Sequence, residues 1–315
     1  MAIGCARTAT GQTSAKTYRL GVLAPGGPVA ENSPNGKILL GTLAQHGYAL
    51  GRNLTYEMRA AAGQMAKLPL LLQELKASGV DAIVTLGYPP TLAAKTAGIP
   101  TVVAFGVGDP VATGLIESLA HPGGSITGIS DMAGPLSTKR LSLLKELAPK
   151  ISRVAMLWNR DDLGMSLRYE ASAAVAQSLD ITVQPLGVRE PDDFEGVFEA
   201  MNRQPPDAIL MVSDSLTTLN RKRVFDYAAS KRLPAIYEYD FLVRDGGLMS
   251  YGPDLAESFE RAGALVDRIF KGAKPSELPF EHPTRYPFII NMKTAKAIGL
   301  EIPPNVLARA DEVIE

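Results

Sequence analysis

The chain has 315 residues, room for two cores of about 150 residues each. Its 32 basic side chains are balanced by 33 acidic ones, for a formal net charge of −1, so no basic surplus exists to hold nucleic acid or an anionic membrane. Hydrophobic residues at 46% and charged residues at 21% describe an ordinary globular composition, and no apolar run approaches the roughly 20 residues that cross a bilayer.

Residues 1–17 are small and polar and read as a disordered leader. They hold no apolar signal-peptide core, so either the chain is cytoplasmic or a signal has been removed. Ala2-Ile3-Gly4-Cys5 faintly resembles the end of a lipoprotein signal, with Cys5 as the lipid-bearing residue; a stray cysteine in a floppy leader is the simpler reading. Cys5 is the one cysteine, which excludes an internal disulfide.

From Tyr18 onward, short β-branched runs alternate with segments of helical period. Strands are predicted at 18–23, 53–58, 81–86, 101–105, 125–129, 153–158, 181–186, 207–212 and 234–238, with helical stretches such as 66–77, 137–148, 166–178 and 254–271. That alternation predicts parallel sheets covered on both faces. The pattern repeats. Asp81-Ala82-Ile83-Val84 opens one unit that closes at Gly98-Ile99-Pro100; Asp207-Ala208-Ile209-Leu210 opens another that closes at Arg232-Leu233-Pro234. Two similar halves are a simpler reading than one irregular sheet. A long tail follows, with a glycine-bounded strand at 246–252, a helix, a proline-rich extended segment and a last helix from about Met292. A tail of this length implies several crossings between lobes, hence a hinge. The expected division is 18–130 plus 252–278 for lobe one and 131–250 plus 285–315 for lobe two.

Four segments carry a resemblance. They are Asp109-Pro110 to Gly114 with His121-Pro122-Gly123-Gly124; Gly246-Gly247 to Tyr251-Gly252-Pro253; Ile269 to Lys274-Pro275; and Asn291 to Gly299, Pro303-Pro304 and Asp311-Glu312. In this order the chain resembles, over residues 18–315, the ABC-transporter substrate-binding proteins related to tryptophan- and tyrosine-binding lipoproteins. The resemblance implies a type I periplasmic-binding fold, α/β with two Rossmann-like lobes joined by a multi-strand hinge. It also implies a periplasmic or extracytoplasmic receptor that delivers a small molecule to a membrane ABC permease. Known members favour aromatic amino acids and related carboxylates. A monomer without cofactor and without nucleic-acid partner is expected.

Catalytic signatures are absent from the sequence. His46, His121 and His282 lie outside metal-ligand spacing of one another and of Cys5, so no metal is expected. No phosphate-loop or nucleophile-elbow motif occurs, and Val111 stands where a dinucleotide fingerprint would need its third glycine. An enzyme on a doubly wound sheet remains one alternative; a regulator's ligand-sensing domain is another, although residues 1–17 are too short and polar for a helix-turn-helix.

Ligands of parallel sheets sit beyond the carboxyl ends of the strands. That rule selects Pro25, Gly26 and Gly27; Gly87, Tyr88 and Thr91; and Phe105 with Gly106 from the first half. From the second come Trp158, Asn159 and Arg160, Ser213, Asp214 and Ser215, and Tyr237, with Tyr251 at a crossing; Tyr239 falls beside them. Backbone N–H groups at the helix start 87–91 could hold a carboxylate, or be a plain helix start. Asp214 could accept from a ligand ammonium, or be a simple N-cap. Arg160 reads first as a solvated loop arginine and second as a carboxylate partner. Tyr88, Phe105, Trp158, Tyr237 and Tyr251 could wall an apolar or aromatic ligand body.

Overall fold

The computed structural model describes residues 16–315; the proposed lipid site at Cys5 and most of the leader lie outside the described residues. At the leader's end, Lys16 pairs with Asp81 at 2.8 Å.

The first half builds β1 (Tyr18–Ala24), α1 (Pro34–Gln45), β2 (Leu54–Ala60), α2 (Leu68–Ala77), β3 (Ala82–Leu86), α3 (Tyr88–Ala97), β4 (Thr101–Phe105) and β5 (Ile126–Gly128). These strands form one parallel sheet in the order β2-β1-β3-β4-β5. The second half builds α4 (Ala133–Leu147), β6 (Arg153–Asn159), α5 (Leu163–Ala176), β7 (Thr182–Val188), α6 (Asp193–Arg203) and β8 (Ala208–Met211). It continues with α7 (Ser215–Leu219), α8 (Arg221–Lys231), β9 (Ala235–Tyr237), α9 (Asp240–Arg244) and β10 (Met249–Tyr251). The tail adds α10 (Leu255–Phe270), β11 (Phe288–Asn291), α11 (Met292–Ala297), α12 (Pro304–Leu307) and β12 (Glu312–Ile314).

The second sheet runs β12-β11-β10-β9-β8-β6-β7, parallel except where β11 meets β10. Its stretch β7-β6-β8-β9-β10 repeats the order of the first sheet strand for strand. The Asp-Ala-Ile repeat has a job in both halves. The Asp81 carboxylate accepts from Arg19 N at 2.8 Å, and Asp207 accepts from Ser152 N at 2.7 Å and Arg153 N at 2.8 Å. Each acid thus satisfies an amide at the start of the neighbouring strand, a donor that would otherwise lack a partner.

Two α/β lobes result. α10 returns to the first sheet, where Phe259, Leu265 and Val266 pack with Leu20, Val22 and Val84. β11 and α11 return to the second, where Phe288, Ile290 and Ala295 join Val154, Met156 and Leu210. The chain therefore passes between lobes after β5, after β10 and before β11. The first and last passages run side by side: Glu281 N donates to Gly128 O and Ser130 N to Glu281 O, both at 2.8 Å. On the last passage Thr284 Oγ1 (2.7 Å) and Arg285 N (2.9 Å) donate to the Glu257 carboxylate on α10.

Beside these passages lies a buried charge cluster. Arg140 donates to Glu238 at 2.9 Å and to the carbonyl of Tyr251 at 2.7 Å. Arg168 donates to the other Glu238 oxygen at 2.6 Å and to Asp131. All four side chains are buried, and each carboxylate is matched by a guanidinium away from bulk solvent.

Candidate functional site

The carboxyl ends of the two sheets face each other across a closed cleft. Three close approaches at first-lobe glycines narrow it. A Cβ on Gly26 would stand 3.8 Å from Ser215 Cβ, one on Gly63 would stand 3.0 Å from Leu219, and one on Gly108 would meet the Gly164 carbonyl at 2.8 Å. In each pair the first residue lies in a loop of the first lobe and the second in α7 or α5 of the second. Between them lies a cavity of ≈150 Å³, a volume that takes one small aromatic ring.

The first lobe contributes backbone and apolar surface: the Pro25-Gly26-Gly27 loop after β1, Leu86 and Gly87 after β3, Pro89, and Phe105 with Gly106 after β4. Gly87 (φ +82°) and Gly106 (φ +84°) lie in the left-handed region, and a Cβ on Gly106 would meet Gly87 Cα at 3.3 Å. Glycine is required for that approach. The second lobe contributes the polar groups: Asp162, Ser213, Asp214, Ser215, Thr218 and Tyr239. The Phe105 ring meets Tyr239 edge to face at 5.5 Å, and Tyr239 lies parallel to Phe241 at 6.0 Å. An aromatic wall therefore spans both lobes.

Two carboxylates line this cavity. Asp162 caps α5, accepting from Met165 N at 3.2 Å, and is 3% exposed. Burial, then the Asp214 charge, pushes its carboxyl up to about 7. Asp214 caps α7 with Oδ1 (Thr217 N, 2.9 Å) and accepts from Asn159 Nδ2 with Oδ2 at 2.6 Å. It lines the cavity. Burial raises this carboxyl too, against the hydrogen bonds of Thr217 and Asn159. Ser213 is 3% exposed, and its hydroxyl has no partner among the described residues.

The sequence model of the family described as "ABC transporter substrate binding protein" matches residues 35–314. The chain belongs to that family. Its members bind a solute and do not transform it. A curated relative, a tyrosine-binding protein of Clostridioides difficile, is 24% identical over 82% of this chain and 74% of its own length. Among solved structures, the Streptococcus domain in complex with L-Trp superposes with a TM-score of 0.86 at 24% identity, covering 95% of this chain and 100% of that one. A ligand-free, open substrate-binding protein with adhesive properties from Clostridium difficile reaches 0.67 at 22% identity, covering 95% of this chain and 99% of that one. These likenesses establish the type I periplasmic-binding fold. Among the described residues, no helix is long and apolar enough to cross a membrane and no group of acidic, histidine or cysteine side chains could hold a metal ion.

Within this substrate-binding protein the strand-end rule brings Pro25, Gly26, Gly27, Gly87, Phe105, Gly106, Ser213, Asp214 and Ser215 together on the cavity. Other expectations need correction. The Thr91 hydroxyl is spent inside the lobe, donating to Gly87 O at 2.7 Å beside Thr85. Tyr88 lines an outer groove instead of the cavity. The helix start at 87–91 is also poor in donors for a carboxylate, because Pro89 and Pro90 have no N–H and Gly87 N donates to Phe105 O at 2.9 Å. Trp158 points into the second lobe's core, stacked on Tyr169 at 3.7 Å. Tyr237 is buried on the opposite face of that sheet, against Phe225. Asn159 reaches the site only through its bond to Asp214. Arg160 is an exposed loop residue, and Tyr251 serves the hinge through its carbonyl.

The sequence reading passed over Asp162 and Phe241 and gave Tyr239 only a place nearby. For Asp162 a signal existed: an acid directly before the helical run from Leu163, the position of an N-cap one turn beyond a strand's carboxyl end.

Proposed function

We propose that this chain is the extracytoplasmic receptor of an ABC importer. It binds a small carboxylate with an apolar or aromatic body, an aromatic amino acid or a related aromatic acid, and presents it to a membrane permease. The observation that carries this reading is the cavity closed between two lobes, walled by Phe105, Tyr239 and Phe241 and polar on one side only. The tyrosine-binding relative and the L-Trp complex support the aromatic class. The amino-acid arm draws on Asp214, a cavity-lining carboxylate that would accept from an ammonium.

In this reading the moving units are 18–130 with 252–278 and 131–250 with 285–315, bending at about 128–132, 250–253 and 279–286. Closure is favoured because a ligand touches both walls only when they meet. The higher superposition score with the L-Trp complex than with the open, ligand-free protein supports a closed disposition here.

Calorimetry on protein freed of solute by unfolding and refolding tests the function. L-tyrosine or L-tryptophan should bind one to one and be recovered chemically unchanged. Small-angle scattering should show a more compact particle with the solute than without. Saturable binding of a sugar in place of all aromatic solutes would overturn the solute class and leave the receptor; turnover of the solute would overturn the receptor.

A further inference from the structure

We propose that Asp162 and Asp214, with the Ser213 hydroxyl, form a clamp for one cationic nitrogen of the solute, and that this nitrogen is the group the site requires, ahead of any carboxylate. The inference rests on the aromatic-solute reading above and narrows it.

Three observations lead there. First, among the described residues no lysine, arginine or histidine lines the cavity, while two aspartates do. Their partners are neutral: the amide of Met165 for Asp162, the amide of Thr217 and the side-chain amide of Asn159 for Asp214. Two carboxylates in one small, poorly solvated cavity repel each other until a cation arrives. Second, Ser213 lines the cavity, and its hydroxyl is buried without a partner among the described residues. A buried hydroxyl left without a bond costs stability that a ligand N–H can restore. Third, a ligand carboxylate would meet the same negative potential with no cationic side chain to answer it, and the prolines after Gly87 remove amide donors from the facing helix start. The rings of Phe105, Tyr239 and Phe241 in the lining suit the aromatic body of a cation.

A dependence on pH follows. The titratable groups facing Asp162 are Asp214 at the start of α7 and Tyr88 at the start of α3, with Tyr239 on the same cavity wall. With Asp162 near neutrality in its titration, an incoming ammonium must displace a proton at acidic pH. Affinity for an amine that stays charged should therefore rise from about pH 6 to pH 8.

The test is calorimetry with L-tyrosine, tyramine and hydroxyphenylpropionate, and with L-tryptophan, tryptamine and indolepropionate. The amines should bind within about tenfold of the amino acids, and the deaminated acids about a hundredfold or more weaker. Asp162→Asn keeps an N-cap for α5, since asparagine caps as well as aspartate, and a melt verifies the fold. It should cut the preference for amine over acid by about tenfold or more and flatten the pH profile; loss of the cap alone would move neither. Acids binding as tightly as amines would overturn the clamp and leave the aromatic-solute reading standing, as would an unchanged preference in Asp162→Asn. No binding by any of the six would overturn the solute class and the clamp with it.

Discussion

Two pairs of acids are sunk in the second lobe's side of this molecule, and their surroundings are opposite. Asp131 and Glu238, beside the hinge, are met by Arg168 and Arg140. Asp162 and Asp214, on the cavity, are met by neutral amides. A buried carboxylate whose counter-ion is built into the chain is committed to architecture. One left without a counter-ion costs the empty protein stability, and it persists where a visitor supplies the missing charge.

The contrast breaks most directly at Arg168. Arg168→Met leaves Asp131 without its guanidinium and Glu238 with Arg140 alone, and should cost about 3–5 kcal/mol in urea unfolding. A loss below about 1 kcal/mol would mean the hinge cluster is not compensated in the way described.

Asp162→Asn should act with the opposite sign. The carboxyl sits at about 7 in the folded chain and near 3.9 when unfolded. From about pH 4 upward the unfolded chain releases a proton that the folded one retains, so the parent loses stability as pH rises to about 7 and levels off beyond. Without solute, the variant should be about 2–4 kcal/mol more stable than the parent at pH 8 and equal to it near pH 4. Melts at both values check this; a destabilised variant at pH 8 would place Asp162 among the structural acids.

A smaller effect is expected on the uncharged wall. Gly106→Ala puts a side chain at φ +84° and against Gly87, at a cost of about 1–2 kcal/mol. That cost should not vary with pH, because nothing on that wall titrates with it; equilibrium unfolding at two pH values is the measurement.

The smallest effect lies at Glu257. Burial raises its carboxyl, but hydrogen bonds from Thr284 and Arg285 outweigh that and hold it below the usual range. Its contribution is present above the unfolded value and lost as pH falls through the folded one. Thr284→Val should cost about 1 kcal/mol near neutrality, shrinking in acid; a pH series of melts shows whether it does.

The fold was readable because its signals are local and repeated. Alternating strand and helix periods, and the Asp-Ala-Ile openings at Asp81 and Asp207, recur in both halves, and the sheets repeat the same strand order. The strand-end rule found Gly26, Gly87, Phe105 and Ser213 because it depends only on where a strand stops. It failed for Trp158 and Tyr237 because the face on which a side chain leaves a buried strand is decided by packing from both sides, and a continuously apolar run leaves no alternation to read. The hinge cluster was invisible for another reason: Asp131, Arg140, Arg168 and Glu238 come from four separate segments, and only the tertiary fold makes them partners.

Trp158 is the sole tryptophan of the chain, and its place in the second lobe's core has a spectroscopic meaning. The indole is stacked on Tyr169 with rings 4° apart and is 9% exposed. Its emission should lie to the blue, be fed by transfer from the tyrosine beneath it, and shift to the red when that lobe unfolds. Because the ring does not border the cavity, the same emission tracks the integrity of one lobe while staying nearly silent to occupancy, and a solute that lacks an indole would load the protein with little change in colour.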